Sequence, residues 1–320
     1  MTTAIETVCD SSLDLVLEYL ACPVCHSSLS PALHCGACER TFRRLPESGA
    51  PSLLPDDALT YEVMPAARDL KHHVQERFAM IASTLPASQA AFATFLNLGY
   101  LPNDTPRSAV RGPVRPAFNR NSTMLLFEVL GAADLDGRVV LDLGAGRGGN
   151  AAMISRYYSP RAVVGLDLSP ANVEFCCRHQ ASDNVGFAVA DVEYLPIPND
   201  QVEVAFNLES SHYYPNLLRF FDEVYRVLSP GGEFLYADIL ARETFDRARE
   251  HFQRLGFQSL RDQDISANVL LSCEAIGKLR ETPRYASLYD TFLVVPGRPE
   301  FAELESGVTQ YRTFHLRKTQ

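Results

Sequence analysis

The chain lacks any apolar run near the ~18–20 residues that a helix needs to cross a bilayer, so no membrane span is expected. Its N-terminus, Met1-Thr2-Thr3-Ala4-Ile5-Glu6, lacks the basic and apolar regions of a secretory signal, and the expected location is the cytoplasm. Basic charge is short as well: 29 Lys and Arg against 39 Asp and Glu leave a net −10. A protein that grips phosphate backbones usually carries a basic stripe, because each neutralised phosphate releases counterions. Bulk nucleic-acid binding is therefore not expected. Internal repeats and low-complexity tracts are missing too. With 46% hydrophobic and 21% charged residues, disorder and fibrous folds drop out. The 320 residues leave room for about two domains.

The eight cysteines do not have the spacing of a disulfide framework. Four form two knuckles, Cys22-Pro-Val-Cys25 and Cys35-Gly-Ala-Cys38, while Cys9, Cys176, Cys177 and Cys273 are scattered. In a reduced compartment, paired CxxC knuckles read as a metal site. Four thiolates suit tetrahedral zinc and leave no open coordination position, so the expected zinc is structural. His26 and His34 flank the knuckles without being needed as ligands.

Three regions follow from composition and periodicity. Residues 1–60 hold a short helix (about 12–20), the knuckles and a Pro-rich exit, and read as a zinc-ribbon domain. Residues 61–130 read as a helical connector or substrate cap, with helical spacing at Leu70–Leu85, Ala90–Leu98 and Ser122–Leu130. Residues 131–320 read as the catalytic domain. There, strands at Arg138–Leu143, Ala162–Leu166, Gly186–Ala190, Val202–Leu208 and Glu233–Tyr236 alternate with helices. Such alternation predicts an α/β fold with a mostly parallel sheet. Phe257–Ile265 reads as a further strand, 268–300 as helical or irregular, and Thr309–Leu316 as a closing edge strand.

The first of these strands runs into Leu141-Asp142-Leu143-Gly144-Ala145-Gly146-Arg147-Gly148-Gly149. Its glycines satisfy the dinucleotide pattern, which by itself says only that the backbone turns tightly near a ligand. The neighbouring acids discriminate further. Asp142, Asp167 and Asp191 each end a strand, and the carboxyl ends of parallel strands line one crevice. A pyrophosphate there would meet like charge. S-adenosylmethionine has no phosphate and carries a sulfonium and an ammonium, so carboxylates suit it. Asp167 is placed for the ribose hydroxyls and Asp191 for the adenine amine.

LDLGAGRGG, the acid of GLDLS, ADVEYLPIP and the hairpin Leu228-Ser-Pro-Gly-Gly-Glu233 occur in this order. Together they resemble the class I methyltransferases dependent on S-adenosylmethionine, over roughly residues 95–320. Within that class the chain is similar to bacterial O-methyltransferases of secondary metabolism, the phthiotriol, macrolide and rebeccamycin-sugar types. The resemblance implies a Rossmann-like class I methyltransferase sheet with an antiparallel last strand. It also implies cofactor contacts at Tyr100, Asp142, Gly144, Gly146, Asp167, Leu168, Asp191, Val192 and Asn207. Tyr100 belongs to Leu98-Gly99-Tyr100, which resembles a GYW segment closing over the cofactor, with Leu101 in place of the tryptophan.

Methyl transfer to a hydroxyl requires alignment of the acceptor and removal of its proton. His212, in Glu209-Ser-Ser-His-Tyr-Tyr-Pro215, follows the fourth strand, and an imidazole suits base catalysis at neutral pH. Asp238 ends the fifth strand and would orient and charge-balance it. Histidine and aspartate at these motif positions act as such a pair in the rebeccamycin-type relatives. Glu209 reads as a wall residue, and His179 as a cation at a helix C-terminus. Arg107, Arg111, Arg115 and Arg120 form a basic cluster that reads as a solvated linker. The expected activity is O-methylation of a small-molecule natural product, a polyketide or related compound, at a hydroxyl or enol.

The ribbon, with Phe42 and the Gly49–Pro55 tail, also resembles that of the bacterial ribosomal-RNA guanine methyltransferase, which makes RNA methylation the competing function. Residues 1–60 carry three basic and eight acidic side chains, a net −5. That is a poor grip on RNA. The ribbon is instead expected to pack on the enzyme, or to dock a carrier or biosynthetic partner protein.

Overall fold

The computed structural model describes residues 2–54, 65–84, 94–102, 119–280 and 294–320. Helix α1 is Thr2–Tyr19, followed by the short strands β1 (His34–Cys35), β2 (Arg40–Thr41), β3 (Arg43–Arg44) and β4 (Pro51–Ser52). Helices α2 (Pro65–Thr84) and α3 (Arg120–Leu130) precede the alternating part. That part runs β5 (Val139–Leu143), α4 (Gly149–Tyr157), β6 (Ala162–Asp167), α5 (Pro170–His179), β7 (Val185–Val189), β8 (Val202–Leu208) and α6 (Leu217–Val227). It closes with β9 (Leu228–Ala241), α7 (Arg242–Leu255), β10 (Phe257–Asp264), α8 (Ser266–Arg280), α9 (Pro299–Ser306) and β11 (Thr309–Lys318).

β1 and β2 pair as a small antiparallel ribbon, and the other nine strands build one sheet in the order β10-β11-β9-β8-β5-β6-β7-β4-β3. From β4 to β9 the pairings are parallel, and β11 runs antiparallel to both β9 and β10. The chain winds outward from β5 through β6 to β7 and then returns to β8 on the other side of β5. A crevice opens at that reversal, beyond the carboxyl ends of the strands. Helices cover both faces, so the central strands read as unbroken apolar runs. Every residue of β5 is buried. Val140 faces a core with α3, α4 and α8, while Val139, Leu141 and Leu143 face one with α1, α6 and α7.

The N-terminal segment is built into this sheet. β4 pairs in parallel with β7, Ser52 opposite Val189, and the Leu53 N–H donates to the Val189 carbonyl at 2.8 Å. Helix α1, longer than its periodicity predicts, lies across β6 and β7. A sheet strand therefore falls inside residues 1–60. Among the described residues, no helix is long and apolar enough to cross a membrane.

Four local expectations are corrected. Thr309–Leu316 was expected at the sheet edge, but β11 lies between β9 and β10. It buries Tyr311, Phe314 and Leu316 and leaves the polar β10 outermost. The Pro-Gly-Gly hairpin is a bulge within β9, where the register to β8 slips between Val202 and Val204. β9 also runs on to Ala241, because β11 pairs along it, so Asp238 lies within the strand rather than at its end. Thr94–Tyr100 is not helical, and residues 85–93 lie outside the described residues.

Gly186 on β7 shows how closely α1 is packed: a Cβ there would lie 2.5 Å from the Ser12 carbonyl oxygen and 3.1 Å from Val16 Cβ. Gly186→Val is expected to destabilise the protein by about 1–3 kcal/mol through overpacking. Urea denaturation checks this, and an unchanged midpoint would rule out the α1 contact.

Candidate active site

The loop after β5 turns on three glycines with positive φ: Gly144 (+70°), Gly146 (+55°) and Gly148 (+72°). Only glycine occupies this region without strain. Space is short as well, since a Cβ on Gly144 would sit 2.4 Å from Ser210 Oγ. The Gly144 and Ala145 amides donate to the Leu166 carbonyl, and the Gly146 amide donates to Asp167 Oδ2 at 2.8 Å. The glycine loop is thereby tied to the end of β6.

Asp142 is fully buried, and no side chain bonds either carboxylate oxygen among the described residues; the Ala151 amide is the one group that offsets its burial. Burial, with Asp167's charge added, pushes its carboxyl up to about 7. Asp167 Oδ1 accepts from the Ser169 amide (2.9 Å) and Asn172 Nδ2 (3.2 Å). Burial still pushes Asp167 up to about 6 against those bonds. Asp191 Oδ1 accepts from the Glu193 amide at 3.0 Å, and its Oδ2 takes a 2.6 Å bond from Lys71 Nζ on α2. The Leu168 carbonyl accepts from Gln75 Nε2, also on α2, at 3.0 Å. Val192 opens a single 3₁₀ turn, and Asn207 Nδ2 donates to the Leu143 carbonyl, Ser210 Oγ and Tyr214 Oη.

A cavity of about 420 Å³ lies over these ends, a volume in the small-ligand range. Gly144, Gly146, Asp167, Leu168, Asp191 and Val192 line it, together with Glu209, His212, Tyr213, Phe78 and Phe95. Of the remaining residues expected at the site, Asp142, Asn207 and Asp238 stand behind this wall. Tyr100 turns away from it: its phenol pairs with Glu128, itself bound to Arg261.

His212 is the residue the cavity shares with the interior. Its Nδ1 lies 2.7 Å from Asp238 Oδ1, the carboxylate fully buried and the imidazole 26% exposed. Asp238 also accepts from the Ser211 amide and hydroxyl (2.6 Å each), the His212 amide (3.2 Å) and the Ile239 amide (2.7 Å). Burial disfavours the imidazolium, but the charge and hydrogen bond of Asp238, with Glu209 nearby, outweigh it and raise His212 above its ordinary value. With Nδ1–H on the aspartate, Nε2 of the neutral ring carries the lone pair.

Sequence reasoning undervalued three groups here. Glu209 has φ +54°, unusual for a residue with a side chain. Its oxygens accept the Leu98 amide (3.1 and 2.9 Å) and the Tyr311 hydroxyl (2.7 Å), hooking the 94–100 segment to β8 and β11. Burial pushes Glu209 up to about 7. Lys71 and Tyr311 come from distant segments with no motif to announce them. At His179, burial and then Arg178 and Arg147 lower the pKa, which works against the expected cation at the helix C-terminus. Arg107, Arg111 and Arg115 lie outside the described residues. In the ribbon, the sulfurs of Cys22, Cys25, Cys35 and Cys38 all lie within 4.8 Å of one another. A tetrahedral zinc at ~2.3 Å from each thiolate needs sulfurs roughly 3.8 Å apart, so the cluster fits the ion.

A sheet of this order, a glycine loop at its reversal and acids on the flanking strand ends define a class I methyltransferase. The methyltransferase-domain family matches residues 141–236. The fatty-acid O-methyltransferase of Mycolicibacterium smegmatis is 32% identical over 225 residues, covering 69% of this chain and 81% of that protein. The phthiotriol/phenolphthiotriol dimycocerosates methyltransferase of Mycobacterium leprae is 29% identical over 231 residues, 70% of this chain and 85% of that protein. The chain belongs to the S-adenosylmethionine-dependent methyltransferases. Among solved structures, the geranyl diphosphate C-methyltransferase of Streptomyces coelicolor is similar at a TM-score of 0.53 and 20% identity, covering 76% of this chain and 97% of that one. The cyclase SpnF reaches 0.59 at 20% identity, covering 78% and 96%. At such identities the likeness concerns the fold.

The buried carboxylate of Asp142, which no cation offsets among the described residues, and the acids beside it fit a cationic cofactor. Carboxyls raised to about 7 and about 6 are protonated in acid and pay burial when ionised, a cost that a bound cation offsets. Cofactor affinity should therefore rise with pH through the 6–7 range. Unliganded stability should fall across roughly pH 4–7, because the folded carboxyls hold protons that the unfolded chain releases. Calorimetry with S-adenosylmethionine at pH 5.5, 6.5 and 7.5 checks this. The expected gain is about tenfold across the series, and a flat profile would contradict it.

Proposed function

We propose that the chain moves a methyl group from S-adenosylmethionine to an oxygen of a small-molecule natural product or lipid, with His212 as general base. The observation that carries this reading is the His212–Asp238 pair, 2.7 Å apart, at the wall of the cavity. The cofactor supplies an electrophilic methyl on a good leaving group. The glycine loop and the strand-end acids Asp167 and Asp191 would hold its cationic and adenosyl parts, with Leu168 and Val192 completing the wall and Asp142 and Asn207 supporting it from behind. His212 Nε2 takes the proton of a hydroxyl or enol as the oxygen becomes nucleophilic. Asp238 holds the ring's orientation and balances the imidazolium that results. The apolar side chains Phe78 and Phe95 suit an acceptor with a hydrophobic body. Fatty-acid and phthiotriol/phenolphthiotriol dimycocerosates methyltransferases among the relatives agree with an apolar acceptor.

The four-cysteine cluster is read as a structural zinc site, and the ribbon as a packing module for the β7 edge. RNA methylation has less in its favour, since the ribbon's net charge of −5 opposes a phosphate backbone.

His212→Ala should lower kcat by roughly 10²–10⁴ on a hydroxyl acceptor while cofactor binding persists. Because the imidazolium is stabilised above its ordinary pKa, kcat should climb with pH through the range above 6.5 and level off. Asp238→Asn should move that limb to lower pH. Full turnover in His212→Ala with a hydroxyl substrate would remove the base assignment. Native mass spectrometry should show one zinc per chain, lost together with thermal stability in Cys35→Ser; a zinc-free native chain would remove the metal.

A further inference from the structure

Lys71 is a buried cation that the methyl-transfer chemistry does not call on. It projects from α2, is 5% exposed, and places Nζ 2.6 Å from Asp191 Oδ2 and 2.7 Å from Glu193 Oε2. The same ammonium lies 5.4 Å from the centroid of the Tyr194 ring. Two carboxylates this close in a dry site repel one another and cannot both stay ionised without a cation between them. One turn further along α2, Gln75 bonds the Leu168 carbonyl. The helix is thus tied to the ends of both β6 and β7.

The cavity is bounded by Lys71 and Asp191 together while their ion pair is closed. A ligand can therefore occupy it without displacing the lysine. The Glu193 amide takes one position on Asp191 Oδ1, and a carboxylate oxygen has room for a second donor.

We propose that Lys71 is a cofactor-positioning residue, acting through Asp191 to fix an ionised acceptor for the exocyclic amine of the adenine ring. The inference rests on reading Asp191 as the adenine-facing acid. Burial leaves the Asp191 carboxyl raised above its ordinary value, and Lys71 is the largest influence drawing it back. Burial also works against the Lys71 ammonium, but Asp191 and Glu193 outweigh it, so the lysine stays charged. Without the lysine, Asp191 drifts toward its neutral form. A carboxyl O–H then points where the amine needs a lone pair.

The test is the affinity of S-adenosylhomocysteine for the full-length, zinc-bearing protein, measured by calorimetry in Lys71→Met, Lys71→Arg, Asp191→Asn and the Lys71→Met/Asp191→Asn double variant. Melting temperature is followed in parallel to set aside variants that fail to fold. Lys71→Met should weaken binding about tenfold or more, and Lys71→Arg should restore most of it. The same Met substitution should add little once Asp191 is Asn. In turnover, the loss should fall on KM for S-adenosylmethionine rather than on kcat. Wild-type affinity in folded Lys71→Met would overturn the proposal, as would an equal loss in the Asn background. Wild-type affinity in Asp191→Asn would instead overturn the adenine-site reading of Asp191.

Discussion

The buried carboxylate of Asp238 is the constraint around which the His212 end of the cavity is arranged. A charge removed from water is tolerated only when its lone pairs are satisfied. Asp238 meets that demand with Ser211, His212 and Ile239. Four of those bonds reach into the turn after β8, so the turn's shape follows from the acid's needs. His212 is held with one nitrogen on the aspartate and the other at the cavity. Tyr236 adds a 2.8 Å bond to Ser211 Oγ from the same strand. Glu209 pins the start of the turn through Leu98 and Tyr311, holding a left-handed backbone that costs of order 1–3 kcal/mol.

On the other side of the cavity the same physics runs with the opposite sign. Asp142, Asp167 and Asp191 are all pushed upward by burial, and only Asp191 has a lysine, Lys71, drawing it back. A wall that holds excess negative potential in a low-dielectric setting favours a cation and disfavours a phosphate. The ribbon is part of this wall's support: β4 pairs with β7 just before Asp191, and α1 covers the outer face. What spacing presents as a separate N-terminal module thus shares a sheet with the strands that end at the cavity.

Much of the fold was legible in order. Central strands and helices announce themselves by apolar runs and by helical spacing, as in α6, where Phe220, Phe221, Val224 and Val227 are buried. Periodicity reports which face a side chain takes, not which strand lies beside it. For that reason Thr309–Leu316 was read as an edge, although β11 is interior, and Asp238 as a strand end, although β9 continues. Tyr100 illustrates a different limit. A motif supplies a residue type, but Gly99, at φ +74° and with Asn121 and Ser272 crowding the space of a Cβ, turns the following side chain toward Glu128.

The sequence by itself determined the α/β class, the glycine loop, the acids at the strand ends, the pairing of four cysteines and the candidacy of His212. Each rests on spacing within a few residues or on chemistry that only certain side chains possess. Tertiary structure alone decided that Lys71, 120 positions before Asp191, would neutralise it, that Tyr311 and Leu98 would meet on Glu209, and that the ribbon's tail would join the sheet. Those contacts join segments far apart in the chain. They arise from the need to pair buried charges and backbone groups, a need that no local pattern records.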